Sequence, residues 1–488
     1  GNLLAGPSEP HLELSSGGDR GSTASGANTP VRRGRPGKKC RPCGLCGRNG
    51  RPYPLRMNTP PPDPNSDSPK PSNRSALLIV WLVVFIDLLG FGIVLPVMPR
   101  QAEPYLSGLT PELRGATIGI LFSSFSLMQL IFSPVWGRIS DRIGRRPVLL
   151  ISLLGSVVFY ALYGFAVTLP GESAALAIGL MLAARVGAGI AGASVGTAAA
   201  VIADCTPPER RAKGMALIGI AFGAGFTLGP LIAYFGLALF EQKPWGVGAL
   251  ASGLSAVALL VAIAIFKETR TPNNKAGRDF FSLSRTAEVL RMPAVGSLIL
   301  TYFLAIFAFA NFEATLALFT ESAFGMKNED NFLVFAFIGG VLMMAGMTYR
   351  PLAKKQPELR LMTVGVGLMI LGLCGMAGVA YEASRPDPGP GLKTEFYLSA
   401  AVAVIGFAFV NPSVSALVSK RADPARQGEV LGVNQSFAAL GRILGPFLGS
   451  VLFQVNASRT LPYFAAVGLL LLVVLLMARL KVGPTERG

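Results

Sequence analysis

Histidine is almost missing from these 488 residues: His11 is the only one. A single imidazole excludes a Ser/His/Asp relay in the body of the chain. Cysteine is nearly as rare, with five in all, and three of those, Cys40, Cys43 and Cys46, fall in one short stretch. No convincing metal constellation remains elsewhere, so neither a metal nor a cofactor is expected. No GxxxxGK[ST] loop occurs, which removes any evident ATP-driven motor. The chain is therefore read as not an enzyme. Charge is scarce too: 15% of the residues are Asp, Glu, Lys or Arg, while 51% are hydrophobic. That balance excludes a soluble globular chain of this length. Acidic residues are the scarcer sign, 27 against 44 basic.

What is present is a succession of apolar runs, continuous rather than alternating, each long enough for a helix to cross a bilayer. Within lipid every backbone amide must be paired internally, which leaves helices as the reading for such runs. Twelve spans are expected, at 76–98, 115–135, 147–168, 176–203, 214–238, 246–266, 294–320, 331–349, 361–381, 396–418, 429–454 and 460–478. The fold class is thus an all-α membrane protein of twelve transmembrane helices. The five loops on one side carry 20 Lys plus Arg and the six on the other carry 7. The positive-inside rule then makes the basic side, and both termini, cytoplasmic. This asymmetry absorbs most of the +17 net charge, so no nucleic-acid partner is expected. The membrane is read as a plasma membrane or a bacterial inner membrane, and lipids are the expected surroundings.

Residues 1–75 hold 12 basic and 5 acidic residues, eight prolines between Pro52 and Pro71, and almost no apolar run. They read as a disordered, basic, Pro/Gly-rich cytoplasmic tail that stays attached. Its Cys40, Cys43 and Cys46 lack a fourth ligand, and a basic segment near anionic headgroups is the plainer reading. A short tail, 482–488, closes the chain.

The body repeats itself. "PPERRAKGMALIGIAFGAGFTLGP" ends at Pro230 and "DPARQGEVLGVNQSFAALGRILGP" at Pro446, an offset of 216 that also carries Gly225 onto Gly441 and Gly229 onto Gly445. The first spans of the two halves start 218 residues apart, at Ala76 and Ala294. Two pseudo-symmetric six-helix halves, 76–270 and 294–481, are expected, joined by a cytoplasmic linker at 271–293. Secondary transporters are built from repeats of this kind. Glycines at i and i+4 let helices pack closely, and the proline after each pair removes a backbone hydrogen bond and bends the chain.

Between spans 2 and 3 stands "GRISDRIGRR", residues 137–146. Its five charged side chains must stay wet, so a short surface loop is expected, with Gly137 allowing helices to approach and Gly144 a tight turn. The decapeptide resembles the loop signature GxxxDRxGRR of the major facilitator superfamily. That resemblance implies a cytoplasmic latch made by Gly137, Asp141, Arg142, Gly144, Arg145 and Arg146. "DLLGFGIVLPVMP" and "ARVGAGIAGASVGTAAAVIAD" resemble the first and fourth spans of tetracycline-efflux-type drug:proton antiporters. "GFTLGPLIA" resembles their fifth-span signature, in which Gly225, Gly229 and Pro230, echoed by Gly441, Gly445 and Pro446, form a kink that seals the protein against proton leak. The corresponding loop of the second half, "GMTYRPLAKKQP", has Arg350 where an acid would fall. Spans 3 and 9 hold no Asp, Glu, Lys or Arg, whereas tetracycline exporters carry acidic residues within later spans.

Charges inside spans are costly, about 2.5–3.5 kcal/mol each on insertion scales, and mark a cavity or a partner. Asp87 and Arg185 both count to mid-membrane, where they could pair: in one reading Asp87 takes and releases a proton beside Arg185, in the other the two form a permanent ion pair. Glu313 is a further proton-coupling candidate. Gln129, Asn311, Asn411 and Arg442 are substrate-cavity candidates, Arg442 for an anionic group or for Glu313. Phe303, Phe307, Phe309, Phe312, Phe407 and Phe409 suggest an aromatic wall suited to amphipathic cargo. The function expected is a proton-coupled antiporter, working as a monomer, that exports a small amphipathic organic compound by alternating access. Proton-coupled uptake of a metabolite or sugar, and a transporter-like sensor or scaffold, stand as alternatives.

Overall fold

Long apolar helices account for nearly all of the computed structural model, which describes residues 74–480 apart from 207–210, 242, 270–282, 293, 424 and 425. The expected basic tail with Cys40, Cys43 and Cys46, the end tail and most of the linker lie outside the described residues. The helices are α1 (Arg74–Val94), α2 (Met98–Ala102), α3 (Pro111–Ile143), α4 (Arg145–Ala166), α5 (Ala174–Ala191), α6 (Val195–Cys205), α7 (Arg211–Ala238) and α8 (Gly246–Ile265). They continue with α9 (Leu283–Arg291), α10 (Val295–Phe324), α11 (Asn328–Ala353), α12 (Glu358–Ala383), α13 (Leu392–Arg421), α14 (Gln427–Val455) and α15 (Leu461–Leu480). Among the described residues eleven helical segments are long and apolar enough to cross a membrane, and α7 adds the shorter apolar stretch Gly223–Ala238 in its place between the fourth and sixth. The twelve-helix reading therefore agrees with the structure.

The fourth span is not one helix. A turn of 3-10 helix at Gly192–Ser194 separates α5 from α6, a tightening that mid-helix often marks a functional position. The linker is not bare chain either, since α9 lies within it.

The decapeptide 137–146 is not a surface loop. α3 starts at the Thr110 cap, with Pro111 in the first turn, and runs unbroken through Gly137 to Ile143; α4 begins at Arg145. Only Gly144 is non-helical, at φ 109° and ψ 161°, a backbone region that is essentially glycine's own. One residue reverses the chain because its charged neighbours can share bonds across the break instead of reaching for water. Gly137 does not serve close approach: a Cβ there would meet nothing within 4 Å.

Burial sorts the helices by depth. Some 72% of the α10 span and 67% of the α1 span are buried, against 28% for α8. α8 turns Val257, Leu260 and Ile263 outward, as a lipid-facing helix does. The glycine repeat shows why α1 and α10 are central. A Cβ at Gly225 or Gly229 would press on Leu88, or on Gly92, at 2.7 and 2.9 Å; at Gly441 or Gly445 it would press on Phe303 and Ile306, or on Ala310. Leu88 and Gly92 map onto Ile306 and Ala310 with the offset of 218. The same close contact, α7 on α1 and α14 on α10, is thus built twice. Pro230 and Pro446 sit inside α7 and α14, which continue past them.

Two pairs of long helices bring the halves together. On α3 and α14, Gly115 faces the Ser450 backbone and Gly119 faces Phe447, while the Ser123 hydroxyl donates to the Ile443 carbonyl at 2.5 Å. On α7 and α11, the Thr227 hydroxyl donates to the Gly339 carbonyl at 3.1 Å.

Candidate functional site

Where α1, α3, α10 and α14 converge they enclose a cavity of about 30 Å³. It holds about two waters at most, and small-molecule sites run to roughly 300–1,000 Å³. Cargo can enter only if the halves separate. Phe91, Leu95, Phe122 and Ser126 line it from the first half, and Glu313, Arg442 and Pro446 from the second. Acid and base therefore face one space among apolar walls. The repeat sharpens this: the offset of 218 that matches α1 to α10 sets Glu313 against Leu95 and Asp87 against Ala305. Neither acid is inherited from the duplicated plan, and each half carries its own.

Asp87 and Arg185 do not pair. Asp87 is 3% exposed and accepts hydrogen bonds from Ser156 of α4 at 3.1 Å and from Ser194 at 3.2 Å. Ser194 follows Arg185 by nine residues, about 13 Å along a helix at 1.5 Å per residue. The two charges stand at different depths, so counting from opposite faces mistook a difference for a match. Arg185, 2% exposed, donates through Nε to the Leu121 carbonyl at 3.2 Å. Its guanidinium carbon lies 4.8 Å from the Phe125 ring centre and 5.3 Å from that of Phe91, in the range of a cation–π contact.

The other cavity candidates lie apart from that space. Gln129 donates to the Gly192 carbonyl at 3.1 Å, beside the 3-10 turn. Asn411 accepts from the Tyr302 hydroxyl at 2.7 Å. Asn311 lies against Gly449 of α14. The aromatic wall is placed differently as well: Phe309 and Phe407 stack on each other at 3.8 Å, and Phe303 packs on Phe307 and Phe437. The rings at the cavity are Phe91 and Phe122.

At the Gly144 end, Arg145 is buried rather than wet. Its Nη1 donates to Asp141 and Ser140, both at 2.6 Å, and its Nε to Asp204 of α6 at 3.2 Å. Glu268, beyond α8, accepts from the backbone N–H groups of Arg145 at 2.9 Å and Arg146 at 3.0 Å. These are orphan donors of the first turn of α4, and a carboxylate there satisfies them and suits the helix dipole. Arg146 itself reaches the Ile263 carbonyl at 2.9 Å. Asp204 and Glu268 went unnoticed in the sequence; the available signal was an acid at the end of a span on the same side as the signature.

The opposite end has its own arginine. Arg100 of α2 pairs with Glu321 of α10 at 3.1 Å, donates to the Met326 carbonyl, and donates to Asn328 of α11 at 3.3 Å. Burial lowers its pKa from the usual guanidinium value, and the Glu321 carboxylate opposes that shift. Buried Asn331 adds a bond to the Pro96 carbonyl at 2.5 Å. All of these join the first half to the second.

Comparison with known proteins follows this architecture. The family model of the Major Facilitator Superfamily matches residues 80–386 and 360–488. The class E tetracycline resistance protein of Escherichia coli is 30% identical over 79% of this chain and 89% of its own length. Major facilitator superfamily domain-containing protein 10 of Mus musculus is 28% identical over 85% of this chain and 94% of its own. The crystal structure of the human organic anion transporter MFSD10 superposes with a TM-score of 0.57 at 24% identity, covering 84% of this chain and all of that one.

Proposed function

The chain belongs to the major facilitator superfamily and is a multi-pass membrane transporter, and from that premise we propose that it exports small amphipathic organic compounds in exchange for protons. The observation that carries this reading is the joint exposure of Glu313 and Arg442 to one cavity between the halves. The Glu313 carboxyl in that space either holds a proton or, as a carboxylate, is balanced by the Arg442 cation and by whatever water the cavity admits. Cargo that occupies the space changes that balance, which is what coupling requires. Glu313 is therefore the exchanging acid. Asp87, held by two hydroxyls away from the cavity, joins the first, third and fourth spans. Relatives named for tetracycline resistance and for organic anion transport support small organic cargo.

In this reading the basic loops, and with them the Gly144 end, face the cytoplasm, and the Arg100 cluster closes the outer side. Proton movement in proteoliposomes under an imposed pH gradient tests it, with a panel of lipophilic cations, antibiotics, organic acids and sugars. Cargo-triggered proton release is expected from the unaltered chain and from Asp87→Asn, and is expected to vanish in Glu313→Gln. Retained coupling in Glu313→Gln together with its loss in Asp87→Asn would return the proton to Asp87.

A further inference from the structure

Among the described residues of the first half, Arg185 is the most deeply buried cation that closes no ion pair. Nε alone is hydrogen-bonded, to the Leu121 carbonyl; Nη1 and Nη2 have no partner among the described residues. An uncompensated guanidinium at this depth is held by its two ring contacts and one bond, and an arginine within a span ordinarily pairs or lines a path. No acid among the described residues is placed to neutralise it: Asp87 is bound to Ser156 and Ser194, and the side chains of α4 that act on it, Tyr160 and Tyr163, are phenols. Tyr163 already donates its hydroxyl to Gln101 at 2.7 Å.

One ring is common to this guanidinium and the cavity. Phe91 lines the cavity and also covers Arg185, with Phe125 beside it at 4.9 Å and tilted 35°. Phe91 is thus the side chain shared by the cavity lining and the guanidinium. Two parallel N–H donors match a carboxylate in a bidentate fashion that a lone ammonium cannot reproduce, and the flanking rings suit the apolar body behind such a head.

We infer that Arg185, Phe91 and Phe125 form a subsite for the carboxylate end of the cargo, opened from the cavity by the Phe91 ring. This rests on the transport reading above and names the charge of the cargo. Arg442, in the cavity proper, is the rival anchor.

The test is equilibrium binding to the full chain in nanodiscs, with naphthalene-2-carboxylate and its uncharged amide as probes. The unaltered chain is expected to bind the carboxylate at least tenfold more tightly than the amide. Arg185→Gln should erase that preference and leave amide binding unchanged, whereas Arg442→Gln should keep it. If Arg185→Gln does not fold, Arg185→Lys carries the test, since it keeps the charge without the fork, and the preference should fall severalfold. Equal binding of the two probes, an unchanged preference in Arg185→Lys, or a preference that disappears only in Arg442→Gln would each overturn the subsite and leave Arg185 as a packing cation. Binding is read without a pH gradient. Loss of proton coupling with the preference intact would therefore fault the antiport reading and spare the subsite.

Discussion

Arg145 and Arg100 lie at opposite ends of the bundle with the same side-chain exposure, 9% each, yet they do opposite things. Arg145 binds Ser140, Asp141 and Asp204, and its backbone binds Glu268, all within the first half. Arg100 binds Glu321, Met326 and Asn328, all in the second. One arginine bonds only within its half; the other ties that half to its neighbour. If the halves rock, Arg145 travels with its partners, whereas Arg100 must release every one it has. The share of the signature carried by Arg145 is a clamp inside one half, and the arginine that joins the two halves is at the far end.

The largest effect should come from cutting the clamp. Arg145→Ala leaves Asp204, 11% exposed, without its cation, and removing one member of a buried pair costs about 3–5 kcal/mol. Thermal unfolding in detergent should drop by several degrees and yield should fall, with no change in which end of the cavity is accessible. A variant of normal stability would show that the clamp is dispensable.

Next comes the tie. Arg100→Ala removes three contacts between halves but no buried acid, because Glu321 is 41% exposed. Stability should change by about 1 kcal/mol, in the range of partly exposed pairs, while the conformational balance moves. In a cysteine-free background carrying Ser126→Cys, a thiol reagent applied at the Arg100 end should label the cavity at least fivefold faster. Unchanged labelling with a lowered melting temperature would make Arg100 another clamp. Glu321→Gln should give a smaller rise, about twofold, since Met326 and Asn328 still hold the guanidinium.

The contrast explains what was readable in the chain beforehand. Spans are legible because an apolar run reports its solvent directly, and the close-packing faces of α7 and α14 are legible in the spacing of Gly225, Gly229, Gly441 and Gly445, although the helices they meet, α1 and α10, are not. Arg145 was not, since its burial depends on Asp204 and Glu268, 59 and 123 residues away. Charge predicts wetness only for a residue whose partners are unknown. The supposed meeting of Asp87 and Arg185 failed for a related reason: depth counted along two helices from opposite faces misplaces a residue by two turns, and two turns separate an ion pair from two strangers. Cavity candidates chosen for polarity alone fared similarly, because Asn411 and Gln129 had nearer partners in Tyr302 and Gly192.

The smallest effect belongs to the second half's counterpart of the clamp. There Arg350 is exposed on α11, and the structure supplies instead a pair from the end of α13 to the start of α12, Lys420 to Glu358 at 2.5 Å. Lys420 is 64% exposed, so water and salt compete for it at every moment. Exposed pairs contribute about 0.2–1 kcal/mol, and ions at molar strength screen them within roughly 3 Å. Lys420→Ala should therefore shift the melting temperature by about a degree, and the shift should disappear in 1 M NaCl, whereas that of Arg145→Ala should persist. Equal losses in the two variants would mean that both halves are clamped alike despite their sequences. A salt-sensitive loss confined to Lys420 would leave the first half as the more rigid body, against which the second moves.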